Sequence, residues 1–326
     1  MTGISDSFQR PINYLRISVT DRCNLRCVYC MPEEGISLMP HFDILSYEEI
    51  YTLVKAAAEL GINKVRLTGG EPLVRAGVAD LVKMIADIDT IKDIAMTTNG
   101  VLLAKYAADL KEAGLNRVNI SLDTLKPERF QKITRCGKLG ETLKGIEAAN
   151  EAGLTPVKIN MVVMKGANDD EVIDFARKTQ KDGWNVRFIE HMPVSGVDAS
   201  TTLVSVNEIK KSIEPLGKLE PAQMETGNGP AKYFKLPGAN GTIGFITPVT
   251  EHFCYQCNRL RLTADGKLRL CLLNEEEIDL REPLRSGASV AELKKLMEAA
   301  IAKKPKSHHL AEGKKGNGRP MSQVGG

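Results

Sequence analysis

The sequence predicts an α/β fold in which an incomplete (β/α)6 barrel of the TIM type precedes a C-terminal extension. Two observations support this class. From residue 13 to about residue 191, short β-rich runs alternate with amphipathic stretches. Such repeated βα units require a parallel sheet with right-handed crossovers, and six units are two fewer than a closed eight-stranded barrel contains.

Six segments are the strand candidates, and each is bounded by Gly, Asn, Asp or Pro. In chain order they read YLRISVT, KVRLTGG, DIAMTTNG, RVNISLDT, PVKINMVVMK and NVRFIEHMP. Unusual residues follow them: a cysteine loop after the first, GGEP after the second, TTNG after the third and SLD after the fourth. Because ligands bind at the carboxyl ends of barrel strands, we expect these residues to meet at one rim.

The clearest helix pattern is SYEEIYTLVKAAAELG. A capping box from Ser46 to Glu49 begins it, and Gly61 ends it. Its apolar residues recur at helical spacing: Ile50, Leu53, Val54 and Ala57.

Composition divides the chain into three predicted parts. Residues 1–200 form the barrel core. Residues 201–310 are rich in Gly and Pro, with short strands, the second cysteine group and a helix around 288–303. Residues 311–326 are a basic, Gly-rich tail, for which disorder and a mobile lid are both open.

Charge and hydropathy limit the classes of partner. The net charge is +3 and the sequence pI about 8.4, which is too mild for a nucleic-acid-binding protein. The sequence has no apolar run of membrane-spanning length and no signal-like start, so we expect a soluble, cytoplasmic protein without a membrane or nucleic-acid partner. Seven cysteines in such a chain indicate metal or redox chemistry rather than disulfides, although Cys136 stands apart as structural or incidental.

The first cysteine group is CNLRCVYC, with Cys23, Cys27 and Cys30 at i, i+4 and i+7. A structural zinc site normally closes with four ligands, and no fourth ligand is evident nearby. An iron-sulfur cube has four irons, so three thiolates leave one iron free to bind something else.

The second group contains Cys254, Cys257 and Cys271. A zinc site completed by His252 is an open alternative here. The runs RLRLT and KLRLC alternate with period two around the loop ADG, which predicts a hairpin with Gly266 in the left-handed region.

The register that separates polar from apolar side chains in this hairpin places Arg261 opposite Arg269. One face is then leucine, and the other carries Arg259, Arg261, Arg269 and Cys271. Arginines beside a cluster ligand are unfavourable without an anion, so this face predicts a phosphate-bearing substrate. A merely solvated basic strand is the alternative.

Both motifs resemble those of a known superfamily. CxxxCxxC with an aromatic residue before the last cysteine, here Tyr29, resembles the radical S-adenosylmethionine (SAM) superfamily, and GGEP resembles its strand-end motif for the SAM amino group. The combination of SVTDRCNLRCVYCMP, VRLTGGEPLVR, TTNG, NISLDTL, RFIEHMP, CNRLRLTADGKLRLCL and a closing Gly-Gly resembles the MoaA family of GTP 3',8-cyclases over essentially the whole chain.

This resemblance implies two 4Fe-4S clusters and SAM as cofactors, with one cluster on each cysteine group. It implies that a 5'-deoxyadenosyl radical takes the C3' hydrogen of GTP to form (8S)-3',8-cyclo-7,8-dihydroguanosine 5'-triphosphate, in the first step of molybdenum cofactor biosynthesis. The implied partners are an electron donor such as a flavodoxin or ferredoxin and a downstream cyclic pyranopterin monophosphate synthase. A homodimer is left open.

The resemblance also implies roles for individual residues. The expected SAM contacts are Tyr29, Gly70, Ser121 and Met192. The expected GTP contacts are Arg16, Arg66, Thr97, Lys158, Arg259, Leu260 and Arg261. The tail residues expected to assist catalysis are Arg319, Gly325 and Gly326, with a frayed basic terminus as the alternative.

Three of the expected GTP contacts also stand out without the resemblance. Arg16, Arg66 and Lys158 lie inside predicted strands, where inward-facing cations would be costly without an anion in the barrel.

Two other functions remain open at this stage. One is a radical SAM peptide-modifying enzyme with an auxiliary cluster, although such enzymes usually carry more cysteines in a longer C-terminal segment. The other is a non-catalytic zinc- and nucleotide-binding protein, for which metal analysis would find zinc in place of iron and sulfide.

Overall fold

The computed structural model describes residues 3–194, 200–224, 226–308 and 319–324. The six predicted strands are all present as β1 to β6: Tyr14–Ser18, Lys64–Thr68, Asp93–Thr98, Arg117–Ser121, Lys158–Val163 and Asn185–Glu190. The helices that accompany them are α1 to α6: Tyr47–Glu59, Val78–Ala86, Leu103–Glu112, Pro127–Thr134, Leu139–Glu151 and Val172–Lys181.

Beyond residue 200 the described chain contributes short strands and further helices. The strands β7 to β12 are Glu220–Ala222, Lys232–Lys235, Ile243–Ile246, Arg259–Leu262, Lys267–Arg269 and Glu277–Asp279. The helices α7 to α10 are Val206–Ile213, Arg281–Arg285, Val290–Ala302 and Met321–Val324. The helix predicted around 288–303 is therefore confirmed as α9, but it is not the final helix, because α10 follows it.

The strands of the described residues form one sheet in the order β12-β11-β10-β1-β2-β3-β4-β5-β6-β9-β8-β7. The expected parallel core is confirmed, because β1 to β6 pair in parallel in chain order. Two strands from the second half extend it, since β10 pairs in parallel with β1 and β9 with β6. The sheet thus runs across the proposed boundary at residue 200, and the division into three parts stays a prediction.

The hairpin register predicted from the leucine pattern is confirmed. Arg261 lies opposite Arg269 and Leu262 opposite Leu268 in the β10–β11 pair. Gly266 has φ of +80°, as the left-handed turn position requires. The leucines of this hairpin are buried, because they join the core on the side away from the arginines.

Helix α1 forms as its sequence pattern predicts. Ser46 and Glu49 make a reciprocal capping box at its start, and Gly61 follows its end with φ of +94°. Its apolar stripe is buried in the main core, and each such side chain contributes roughly 1.5–3 kcal/mol relative to exposure. The helix contacts both α2 and α9, so it ties the second half of the chain to the barrel.

No helix in the described ranges is long and apolar enough to span a lipid bilayer.

Candidate active site

A cavity of about 320 Å³ opens at the carboxyl ends of the parallel strands. Both groups of cysteines line it, so the two ends of the chain meet in one site. All of these thiols are free: Cys23, Cys27, Cys30, Cys254, Cys257 and Cys271. Cys136 is also free, but it is exposed and is not among the cavity residues.

The first cysteine loop follows β1 and is held from behind by the end of α4. The backbone N–H of Arg26 donates to the carbonyl of Thr134 at 3.0 Å. The guanidinium of Arg135 donates to the carbonyls of Arg26 and Met31, both at 2.9 Å, and Arg26 donates to the carbonyl of Cys23 at 2.7 Å. These bonds fix the loop backbone from its outer side, so the thiols are free to face the cavity.

The thiols of this loop lie close enough to influence one another. Burial raises the pKa of Cys23 to about 11. Burial and the neighbouring Cys30 raise the pKa of Cys27 well above its ordinary value. Thiols that are buried together in this way suit ligands of one positively charged metal centre, which would stabilise their thiolates.

The GGEP motif approaches the backbone that follows β1. A Cβ atom on Gly70 would lie 2.3 Å from the carbonyl oxygen of Arg22, so only glycine fits there. The next residue, Glu71, is buried and accepts hydrogen bonds from the Thr98 hydroxyl and the Asn99 N–H, both at 2.7 Å. Burial raises the pKa of Glu71 to about 7, despite these bonds.

Tyr29 connects the first cysteine loop to the opposite strands. Its hydroxyl donates to Oδ2 of Asp123 at 2.7 Å, and the N–H of Val162 donates to Oδ1 at 2.8 Å. Burial raises the pKa of Asp123 to about 6. The Tyr29 ring also meets the His191 ring edge-to-face at 6.4 Å between centroids.

The second cysteine loop is held by a buried arginine from the start of the chain. Arg10 donates to the carbonyl of Cys254 at 2.7 Å, and to those of Pro305 and Lys306 at 2.7 and 2.9 Å. Its Nε pairs with Asp6 at 2.6 Å, and both side chains are buried. One ion pair therefore fastens the loop to the segment that follows α9.

Cations also surround the thiols of the second group. The buried Lys304 ammonium donates to the carbonyls of Arg259 and Leu270, and the Arg259 guanidinium lies 3.8 Å from Sγ of Cys257. Burial alone would raise the pKa of Cys257, but Arg259 and Lys304 outweigh it and lower that pKa to about 7.

A row of arginines crosses the sheet beside this group. Arg16 on β1 pairs in register with Arg66 on β2 and with Arg261 on β10. Adjacent strands lie only about 4.8 Å apart, so these guanidinium groups repel one another. Burial and the charge of Arg261 lower the pKa of Arg16 well below its ordinary value. A bound anion would stabilise these guanidinium groups in their charged form.

Two further cations lie inside the barrel on β5 and β6. The Lys158 ammonium donates to the carbonyl of Thr226 at 3.0 Å, and burial with Arg187 lowers its pKa to about 7. Arg187 is buried, lines the cavity and donates to Asn119 at 2.5 Å. Both therefore add to the positive potential on this side of the cavity.

The tail returns to the hairpin that carries the second cysteine group. The Arg319 guanidinium pairs with both carboxylate oxygens of Asp265, at 3.0 and 2.9 Å, and with Glu277 at 2.8 Å. Met321 and Ser322 in α10 line the cavity. Residues 319–324 therefore pack against the hairpin and the cavity, which does not support the alternative of a frayed terminus for them.

Most expected contact residues lie in the cavity wall. These are Arg16, Tyr29, Arg66, Gly70, Thr97, Ser121, Met192, Arg259 and Arg261. Lys158, Leu260 and Arg319 do not line it, and the Leu260 side chain belongs to the hydrophobic core. Gly325 and Gly326 lie outside the described residues.

Arg269 differs from the expectation for the arginine face of the hairpin. The hairpin pattern predicts that Arg269 binds an anionic substrate, but its guanidinium pairs with Glu277 at 2.8 Å. β12 places that carboxylate opposite Arg269, and the sequence pattern of the hairpin contained no sign of this third strand. Arg269 is therefore a structural residue here.

Several buried cavity residues were missed by the sequence analysis. Each has a polar side-chain atom without a partner among the described residues: Tyr14 Oη, Asn160 Oδ1, Arg187 Nε and His191 Nε2. Such atoms are costly unless a ligand satisfies them, so they indicate a polar ligand in this cavity. Arg187 lies inside a strand as Arg16 and Arg66 do, and that signal could have identified it.

In the described ranges, no three His, Cys, Asp or Glu side chains are arranged to hold a single metal ion. Two half-buried groups of three thiols on one cavity fit two iron-sulfur cubes, each with one iron left for a ligand.

Comparisons with known proteins agree with this site. Residues 17–179 match the radical SAM superfamily, and residues 184–310 match Molybdenum Cofactor Synthesis C. The structure of Streptococcus suis SuiB bound to S-adenosylmethionine shares the fold, with a TM-score of 0.61 at 15% identity over 97% of this chain and 76% of that one. Fold and site together define a radical SAM protein.

Curated relatives narrow the family further. The GTP 3',8-cyclase of Pelotomaculum thermopropionicum is 54% identical over 326 residues, which cover 99% of this chain and 100% of the relative. That of Thermodesulfovibrio yellowstonii is 53% identical over 327 residues, with the same coverage. The chain belongs to the GTP 3',8-cyclase family, and the resemblance inferred from the motifs is confirmed.

These relatives also decide between the alternatives. SuiB shows the fold alone at 15% identity, whereas the cyclases match from end to end at more than 50%. Neither the peptide-modifying enzyme nor the non-catalytic zinc- and nucleotide-binding protein is supported.

Proposed function

We propose that the chain is a GTP 3',8-cyclase that uses SAM and two 4Fe-4S clusters in the first step of molybdenum cofactor biosynthesis. One observation carries the proposal: two groups of three thiols and a row of arginines share a single cavity. When bound, a reduced cluster with SAM supplies a 5'-deoxyadenosyl radical that removes hydrogen from C3' of GTP.

The net reaction balances with an external reductant. The C3'–H bond of GTP is replaced by a bond from C3' to C8 of guanine, and the hydrogen leaves in 5'-deoxyadenosine with release of methionine. Two electrons and one proton enter from a low-potential electron-transfer partner. The product, 3',8-cyclo-7,8-dihydro-GTP, is an isomer of GTP.

The SAM side of the cavity is formed by the first cysteine loop and the strand ends near it. Cys23, Cys27 and Cys30 would hold the first cluster. Gly70, Ser121, Met192 and Tyr29 line the wall beside them, and backbone approach at Gly70 is possible because no side chain intervenes.

The GTP side is formed by the second cysteine group and the arginine row. Cys254, Cys257 and Cys271 would hold the second cluster, and Arg16, Arg66 and Arg261 would bind the triphosphate. The remaining expected contacts are Thr97, Lys158, Arg259 and Leu260, of which Leu260 could contribute only through its main chain.

Isotope transfer tests this proposal directly. Protein reconstituted anaerobically with iron and sulfide would be given SAM, a chemical reductant and GTP deuterated at C3'. We expect 5'-deoxyadenosine that carries one deuterium. The product should have lost that deuterium and should therefore have the mass of unlabelled GTP. If the formation of 5'-deoxyadenosine does not depend on GTP, or does not occur, the cyclase activity is excluded.

The tail would act through its anchor on the hairpin. Arg319 pairs with Asp265 and Glu277, which holds α10 against the cavity mouth. Arg319→Gln should lower product formation per SAM cleaved by about two- to fivefold, since a half-buried ion pair contributes modestly. An unchanged ratio of product to 5'-deoxyadenosine would contradict this role.

The same proposal includes the partners expected from the sequence. A flavodoxin or ferredoxin would supply the electrons, and cyclic pyranopterin monophosphate synthase would consume the product. The free thiols suit the reducing cytoplasm, and a homodimer is testable by light scattering.

A further inference from the structure

His191 follows β6 directly and has one ring nitrogen that no described residue satisfies. The side chain is 5% exposed, and its Nε2 has no hydrogen-bond partner. The residue also lines the cavity that holds both cysteine groups. A buried, unpartnered nitrogen in a cavity wall is costly, so a ligand that supplies its partner would be favoured.

The ring is held in place from its other side. Its Nδ1 lies 2.7 Å from the hydroxyl of Thr202, and the carbonyl of Thr202 accepts a hydrogen bond from the N–H of Lys165 at 2.9 Å. Burial lowers the pKa of His191, so the imidazole is neutral at pH 7 and can donate or accept at Nε2 according to its tautomer.

The surroundings of the ring indicate which ligand Nε2 would meet. The ring contacts that of Tyr29, which lies between Cys27 and Cys30 in the first cysteine loop. Met192, an expected SAM contact, is the next residue in the chain. The arginine row, by contrast, lies within β1, β2 and β10. His191 therefore belongs to the SAM side of the cavity.

We infer that Nε2 of His191 forms a hydrogen bond to the adenosyl group of SAM and so contributes to SAM affinity. Adenine nitrogens and ribose hydroxyls include both donors and acceptors, so either tautomer finds a partner there. This inference rests on the proposed function, because it assumes that SAM occupies the cavity.

The test compares SAM binding to reconstituted, unreduced protein, in which no turnover occurs. His191→Phe alone would also remove the contact between Nδ1 and the Thr202 hydroxyl, so the informative pair is Thr202→Val and the double variant His191→Phe/Thr202→Val. Equilibrium dialysis would give the Kd for SAM, for S-adenosylhomocysteine, for free methionine and for GTP.

We expect the double variant to raise the Kd of SAM and S-adenosylhomocysteine about five- to tenfold relative to Thr202→Val, as the loss of one buried hydrogen bond predicts. The Kd values of methionine, which lacks the adenosyl group, and of GTP should change by less than about twofold. His191→Gln, which keeps a donor and an acceptor, should recover part of the affinity. His41→Phe, at an exposed position, is the matched surface control.

Each outcome is decisive. An unchanged SAM Kd in the double variant overturns the inference, and so does a selective loss of GTP or methionine affinity. If the wild-type protein with intact clusters fails to bind SAM, the proposed function itself is wrong, which is a separate result.

Discussion

The two cysteine groups share one cavity, but different ionisable side chains lie beside their thiols. Near the first group lie the buried carboxyl groups of Glu71 and Asp123, with pKa values raised by burial to about 7 and about 6. Near the second lie Arg259 and Lys304, which together outweigh burial and lower the pKa of Cys257 to about 7.

This difference fits the two ligands of the proposed reaction. SAM carries a sulfonium and an ammonium group, so a cavity wall with ionisable carboxyl groups favours its binding. The positive charges of bound SAM would in turn lower the pKa of these carboxyl groups and keep them ionised. GTP carries a triphosphate, which matches guanidinium and ammonium groups. The same three-thiol arrangement is thus used twice, and the neighbouring charges determine which ligand each open iron meets.

The two loops also share a feature. Each is fastened from its outer side by one arginine that donates to loop carbonyls, Arg135 for the first loop and Arg10 for the second. Both arginines are distant in the sequence from the loop they support, since Arg135 lies 109 residues from Arg26 and Arg10 lies 244 residues from Cys254.

Removing one thiol from each group should separate their roles most strongly. Cys27→Ala should abolish 5'-deoxyadenosine formation and leave about four irons per chain on the second group. Cys257→Ala should also lose about four irons, but it should keep some SAM cleavage that no longer depends on GTP. Iron and sulfide analysis with quantification of 5'-deoxyadenosine checks both, and SAM cleavage retained by Cys27→Ala would refute the assignment of the first group.

Substituting Arg10 or Arg135, the arginines that donate to the loop carbonyls, should likewise affect one cysteine group and not the other. Arg10→Met leaves the buried Asp6 carboxylate unpaired, so we expect a loss of about 3–5 kcal/mol in stability and selective loss of iron from the second group. Arg135→Met, at a partly exposed position, should destabilise less and lose iron from the first group. Thermal unfolding and electron paramagnetic resonance would measure these effects; equal loss from both groups in each variant would argue against separate supports.

Substitutions in the arginine row should weaken the binding of GTP and leave the binding of SAM nearly unchanged. Arg261→Ala should raise the Kd of GTP by about ten- to a hundredfold, because a buried charge-assisted contact is lost, and change that of SAM by less than about threefold. Arg261→Lys keeps the charge without the guanidinium fork, so its Kd for GTP should lie between those of the wild type and Arg261→Ala. Equal changes for both ligands would indicate a role in folding instead.

Lys158 should make GTP binding depend on pH. Burial, Arg187, Arg117 and Arg66 lower its pKa to about 7, while Asp93 acts in the opposite direction. Above pH 7 the free protein therefore loses this charge, and GTP must bind together with a proton. The affinity should then fall as pH rises from 7 to 9, by up to about tenfold per pH unit. Lys158→Arg, which stays charged, should flatten the profile measured by calorimetry; a profile identical to wild type would show that Lys158 is not the titrating group.

Local features of the fold could be predicted well. The capping box of α1 and the β10–β11 register depend on residues close together in the sequence, and both are confirmed. The six parallel strands follow from periodicity and turn residues, which are also local. The first cysteine group resembles the radical SAM motif, and that resemblance implied its chemistry without a structure.

Contacts between distant segments could not be predicted in this way. The pairing of β10 with β1 places Arg261 beside Arg16, although the two are far apart in the chain. The neutralisation of Arg269 by Glu277 was missed for a related reason: the two residues are only eight apart, but it is the pairing of β11 with β12 that places them opposite each other. Periodicity assigns a side chain to a face of a strand, but it does not specify the neighbouring strand.

The sequence by itself determined the two groups of three thiols, the parallel βα core and the arginine-bearing hairpin, because each depends on spacing within one short segment. Only the tertiary structure decided that both groups open into one cavity, that Arg10 supports the second loop and that His191 presents an unpaired nitrogen beside Tyr29. These arrangements depend on packing between segments far apart in the chain, and the free energy of that packing is a property of the whole fold.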